Sequence, residues 1–244
     1  MKRLILSGIP CVPEAWHKIF PVEKNVQQKI IPFIDIFTKG FYKNKKLSDL
    51  VPLVCDIIQD FLPDQIIMHD MGVTVGILSL ISILKKTRGL QCDMVIFNGA
   101  FGYFDVNKSN HPIRIQNMSY ADFEYEVRKN GGEIDPKYRD HYVAVQQFYQ
   151  ELVEINKLYA IKRNIEDLSE SSKLVNSRSQ IDLGGKVLII ASRNDPYIYF
   201  ECLESLKSII LNSYMKIIDY GHFPYSGSVE LIKNEIKKFS NNLE

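Results

Sequence analysis

Three polar residues, each at the end of an apolar, strand-like run, have the types and the order for nucleophilic and acid–base chemistry. Asp70 stands in Ile66-Ile67-Met68-His69-Asp70-Met71-Gly72-Val73-Thr74-Val75-Gly76, where a short buried strand turns sharply into an apolar helix reaching residue 84. Asp195 follows the apolar run at residues 186–192, in Ser192-Arg193-Asn194-Asp195-Pro196, and His222 follows a last strand in Asp219-Tyr220-Gly221-His222-Phe223-Pro224. A carboxylate at such a turn can attack carbon, a histidine can activate water, and a second carboxylate can orient and charge-stabilise that histidine. Each residue also has a plainer role: an Asp capping the next helix, an Asp-Pro turn, a loop histidine after glycine. Three of them, each at the carboxyl end of a separate predicted strand, are the pattern of a shared site.

The elements that must position them alternate. Strands are predicted at residues 4–6, 29–37, 66–68, 93–100, 186–192 and 214–219, and helices at 13–20, 48–61, 72–86, 199–211 and 228–239, the last with Ser228 as N-cap. Near-continuous apolar strands separated by helices imply a parallel sheet covered on both faces. The rhythm breaks over residues 101–184, where helices are expected at 119–129 and 136–162, separated by Gly131-Gly132, with a short helix and return loop at 165–182. A helical insertion there suggests a lid over the strand ends, the edge at which open α/β sheets bind ligands. The expected organisation is therefore a core of residues 1–100 and 185–244 with a helical cap at 101–184.

Composition narrows the function classes. Thirty Lys and Arg against 29 Asp and Glu leave a net charge of +1, with no basic stripe, so a nucleic-acid partner is not expected. The four cysteines are scattered in apolar surroundings without a C-x-x-C pair, which indicates neither a metal site nor a disulfide framework. No cofactor motif is present, and a small-molecule substrate is the expected partner. The apolar run at the N-terminus is too short for a signal peptide, and no stretch approaches the roughly 18 apolar residues of a membrane span. A cytoplasmic location is the expectation; oligomeric state has no sequence signal.

The order elbow residue, acid, histidine is that of the α/β-hydrolase superfamily, and the whole chain resembles it. Ser192-Arg193-Asn194-Asp195-Pro196 and Gly221-His222-Phe223-Pro224 look like its acid and histidine motifs, and Ser7-Gly8-Ile9-Pro10 is similar to its His-Gly-x-Pro oxyanion loop. The resemblance implies an α/β-hydrolase fold of about six parallel strands, the family's first two being missing, with a helical cap. It assigns catalysis to Asp70, Asp195 and His222, and oxyanion binding to the backbone N–H groups of Ile9 and Met71. The chain departs from the pattern at Met68, where the family has the first elbow glycine, and at Ser7, where it has histidine.

An Asp at the elbow resembles the epoxide hydrolases and the haloalkane or fluoroacetate dehalogenases. A carboxylate attacking sp3 carbon gives an ordinary ester that histidine-activated water can hydrolyse. Dehalogenases usually place tryptophan after the nucleophile; here that residue is Met71, and the single tryptophan is Trp16. Epoxide opening needs acids for the alkoxide, which the family takes from cap tyrosines, and Tyr103, Tyr120, Tyr125, Tyr138, Tyr142, Tyr149 and Tyr159 all lie in the insertion. Epoxide hydrolysis is the better fit. An esterase, thioesterase, lactonase or lyase with Asp70 as base, and a catalytically silent ligand-binding relative, remain alternatives, and Asp105 is the reserve for the acid.

Overall fold

Residues 1–8, 12–32, 49–86, 91–99, 101, 118–170 and 180–241 are described by the structure, a computed structural model, with only the backbone described at 86 and 159–170. Six strands form one parallel sheet: β1 (Lys2–Ser7), β2 (Gln27–Pro32), β3 (Gln65–His69), β4 (Asp93–Phe97), β5 (Val187–Ala191) and β6 (Ser213–Ile217). Their spatial order is β2-β1-β3-β4-β5-β6. β3 and β5 are buried at every position, as a strand covered on both faces must be. The edge strand β6 exposes Tyr214 and Ile217.

All six predicted strands are present, with ends shifted by a few residues. The strand expected at 93–100 ends at Phe97, and of the one expected at 29–37 the part beyond Pro32 lies outside the described residues. The chain leaves β1 toward β2 on one side of the sheet and leaves β3 toward β4 on the other. The switch in direction therefore falls between β1 and β3, where an open α/β sheet has its ligand crevice. Gly8 and Asp70 follow the carboxyl ends of these two strands.

Helices α1 (Leu50–Phe61) and α2 (Met71–Lys86) pack on each other and against β1, while α5 (Phe200–Ile209) and α6 (Val229–Asn241) pack on β5. Before α5 the chain carries α3 (Tyr120–Lys129) and α4 (Lys137–Glu170), both between β4 and β5. The described residues of this insertion add no strand to the sheet, only an isolated bridge between Ile181 and Ile210. Helix α4 is longer than expected and absorbs residues 165–170, read from the sequence as a separate short helix. No glycine or proline falls within residues 137–170, so no breaker separates the two expected segments. Ser228 also differs from expectation: its φ is 56° and its hydroxyl donates to the Asp219 carbonyl at 3.1 Å, which is not N-cap geometry.

No described helix is long and apolar enough to cross a membrane. Among the described residues no cluster of three or more His, Cys, Asp or Glu side chains could hold a metal ion.

Candidate active site

Asp70 occupies the single residue between β3 and α2 and adopts a φ of 52°. That left-handed conformation is costly for a residue with a Cβ and persists where the surroundings enforce it. The elbow is clamped by backbone: the Asp70 N–H donates to the Asn98 carbonyl at 2.9 Å, and the Asp70 carbonyl accepts the Val73 N–H at 3.0 Å. Three glycines allow the close approaches. A Cβ on Gly72 would sit 2.9 Å from the Leu6 carbonyl carbon and nearer still to its oxygen, so α2 can cross β1 only with glycine there. A Cβ on Gly8 would fall 2.5 Å from Asp70 Oδ2. The third, Gly76, explains the departure at position 68. Its missing Cβ leaves room for the Met68 sulfur, which would otherwise lie 2.5 Å away. The bulk that the elbow gains at Met68 is taken up one turn into the helix.

Asp195 and His222 are in contact: His222 Nδ1 lies 2.8 Å from Asp195 Oδ2, both side chains buried. The other Asp195 oxygen accepts the N–H groups of Tyr197 at 2.7 Å and Ile198 at 3.0 Å, which fixes the carboxylate. Burial alone would push the imidazole pKa down. The charge and hydrogen bond of Asp195, together with the charge of Asp70, outweigh it and hold His222 above the ordinary histidine value. Asp70 is thus close enough to His222 for its charge to act on the ring, and it is itself only 4% exposed.

Four further residues lie at the site: Tyr149, one of the seven insertion tyrosines named from the sequence without an assignment among them, and His69, Asn98 and Tyr197, which the sequence did not single out. The Tyr149 hydroxyl, from α4, lies 3.4 Å from Asp70 Oδ2 and donates to it. His69 is fully buried, and its Nε2 lies 3.0 Å from the His222 carbonyl, so that nitrogen carries the proton. Burial first, then the charge of His222, hold His69 well below the usual range and therefore neutral. Asn98, at the end of β4, donates from Nδ2 to the Gly221 carbonyl at 2.7 Å. The Tyr197 ring stands edge-on to His222, with centroids 4.9 Å apart, and its hydroxyl accepts from Asn130 Nδ2 at 2.7 Å, just past α3. The same link is tightened at Gly131-Gly132. A Cβ on either would lie 2.5 Å from an atom of Ser226 or Phe223 respectively, so the insertion rests directly on the histidine loop.

Of the other sequence candidates, Met71 is the first residue of α2 and buried; its N–H is among those a helix leaves without an internal partner. Ile9, Tyr103 and Asp105, and the side chain of Tyr159, lie outside the described residues. Tyr138 and Tyr142 are buried, Tyr120 is half-buried and Tyr125 is exposed. Trp16 is fully buried in an aromatic cluster with Phe20, His69, Phe97 and Tyr225.

No protein-family model and no curated protein matches the sequence. Solved structures do match. A lipase-esterase related protein from Clostridium acetobutylicum is 19% identical with a TM-score of 0.59, over 98% of this chain and 93% of that one. An epoxide hydrolase from Bacillus megaterium is 15% identical with a TM-score of 0.61, over 99% and 93%. An alpha/beta hydrolase fold protein from Burkholderia ambifaria is 14% identical with a TM-score of 0.60, over 96% and 89%. With its six-stranded parallel sheet and flanking helices, this chain has the α/β-hydrolase fold.

Proposed function

We propose that the protein is a hydrolase that opens an epoxide through an ester on Asp70, beneath a cap formed by the helical insertion. The observation that carries this reading is the Tyr149 hydroxyl, 3.4 Å from Asp70 Oδ2. It sets a proton donor beside the attacking carboxylate, where an epoxide oxygen would emerge. Carboxylate attack on an epoxide carbon breaks the C–O bond, and the electron pair goes to an alkoxide that takes the Tyr149 proton. Water then attacks the Asp70 carbonyl carbon as His222 accepts one of its protons. Asp195 holds the resulting imidazolium, and the N–H groups of Met71 and Ile9 stabilise the tetrahedral oxyanion. Collapse releases the diol, which takes the His222 proton, and the proton left on Asp70 returns to the Tyr149 oxygen.

A halide leaving group fits less well. Met71 offers no side-chain donor after Asp70, and Trp16 is enclosed in its aromatic cluster.

The test is the intact mass of the His222→Gln protein after incubation with a panel of mono- and disubstituted epoxides. The expected result is one equivalent of adduct on the peptide containing His69-Asp70-Met71, because alkylation needs no base while ester hydrolysis does. A single turnover of the native enzyme in heavy-oxygen water should label Asp70 and leave the diol unlabelled. Label appearing directly in the product would mean water attacked the substrate, with Asp70 as base and ester-type chemistry in place of epoxide opening.

A further inference from the structure

Strand β4 lies between β3 and β5, so the residue just past its end stands among the elbow, the acid loop and the histidine loop. That residue is Asn98, fully buried. Its carbonyl accepts the Asp70 N–H at 2.9 Å. Its Oδ1 accepts the Ser192 N–H at 3.1 Å, at the start of the acid loop. Its Nδ2 donates to the Gly221 carbonyl at 2.7 Å, one residue before His222. We propose that Asn98 is the positioning residue that sets Asp70 against the Asp195–His222 pair, by joining all three loops through one side chain and its own carbonyl. The proposal rests on the reading that these three residues form one site.

The chemistry of the junction selects asparagine. A backbone N–H can only donate and a backbone carbonyl can only accept, so Ser192 and Gly221 together fix which carboxamide atom faces which loop. Aspartate would turn an oxygen toward the Gly221 carbonyl. Leucine would leave the buried Ser192 N–H and the part-buried Gly221 C=O without this partner, a costly state. Serine is too short to meet both.

The acid and histidine loops are also joined without Asn98. Ser192 Oγ accepts the Tyr220 and Gly221 N–H groups at 3.2 and 3.1 Å and donates to Asn194 Oδ1, which in turn accepts the Gly221 N–H at 2.9 Å. The elbow is tied to them through Asn98 and through the hydrogen bond from His69 to the His222 carbonyl. Loss of the Asn98 carboxamide should therefore leave Asp195 and His222 together and loosen the pair relative to Asp70.

The test is a double-mutant cycle between Asp70→Asn and Asn98→Leu, read as the His222 imidazole titration by NMR on the full chain. Among the described residues, the titratable groups facing that ring are Asp195, Asp70, His69 and Tyr197. In the native background, Asp70→Asn should lower the His222 midpoint. In the Asn98→Leu background that shift should shrink to less than half, while the far-UV circular dichroism stays native. Asn98→Ser, a smaller change, should give the same loss and serves if the leucine variant does not fold. An undiminished Asp70→Asn shift in a folded Asn98 variant would overturn the proposal. The readout needs no turnover: a protein that forms no ester yet loses this coupling overturns the epoxide reading alone, and one that forms the ester yet keeps the coupling overturns only this proposal.

Discussion

Gly8 and Asp70 share one space: a Cβ on Gly8 would lie 2.5 Å from Asp70 Oδ2. They follow adjacent parallel strands on the two sides of the sheet's switch point, and the carboxylate can lie across the end of β1 only because position 8 has no side chain. Gly8→Ala should therefore act on Asp70 directly. The expected outcome is a loss of roughly 1–3 kcal/mol of stability from overpacking and a fall of about a hundredfold in ester formation on Asp70 from its displacement. Denaturant titration and the rate of adduct formation in the His222→Gln background measure the two effects separately.

Tyr149→Phe removes the hydroxyl that meets Asp70 and little else. Adduct formation with an epoxide should slow by about a hundredfold or more, as expected for a lost general acid. Hydrolysis of an ester already formed should change far less. Rapid-quench measurement of the two half-reactions checks this, and an unchanged alkylation rate would remove Tyr149 from the role.

The paired histidines predict a bell in stability against pH. His69 stays neutral in the folded chain while its unfolded counterpart titrates near 6.5, so below that pH the unfolded state binds an extra proton and stability falls as pH falls. His222 is raised, so its contribution is complete below about 6.5 and is lost as pH rises through the higher folded value. Each limb can slope by at most about 1.4 kcal/mol per pH unit. His69→Gln should flatten the acid limb and His222→Gln the alkaline one, checked by denaturant unfolding at a series of pH values.

Met68 and Gly76 should be energetically coupled. Met68→Ala alone empties volume in a packed interior and should cost about 2–5 kcal/mol. Gly76→Ala alone drives a methyl against the Met68 sulfur and should cost about 1–3 kcal/mol. In the Met68→Ala background the same Gly76→Ala change should be close to neutral, because alanine is the better helix former. A cycle of four denaturation curves that adds without interaction would contradict the account of the altered elbow.

Much of this architecture was legible in the sequence. Six apolar runs and their punctuation were enough to place six strands, and Asp70, Asp195 and His222 stood out as polar residues at strand ends. Tyr149 did not stand out. Seven tyrosines shared the insertion, and only the way α4 lies over the elbow selects one. Asn98 has no motif, because its role comes from the neighbours of β4 in the sheet. His69 was hidden by sitting beside a more conspicuous residue. Successive strand residues face opposite ways, which sends Met68 toward α2 and His69 toward His222. Gly76 did carry a signal: a glycine within a buried helix marks a close approach, and here it accounts for the missing elbow glycine.

The seating of Gly131-Gly132 on Phe223 and Ser226 bears on how this scaffold could be re-engineered. A helical insertion is a tempting module to exchange when a new substrate range is wanted. Here the module and the loop carrying His222 are moulded to each other, with Tyr197 and Asn130 stitching the acid loop to the same spot. A transplanted cap would need its own pair of small residues at that junction, or it would press on the loop that holds the base. An exchange of α3 would therefore have to carry with it the seat that Phe223, Ser226 and Tyr197 make for it.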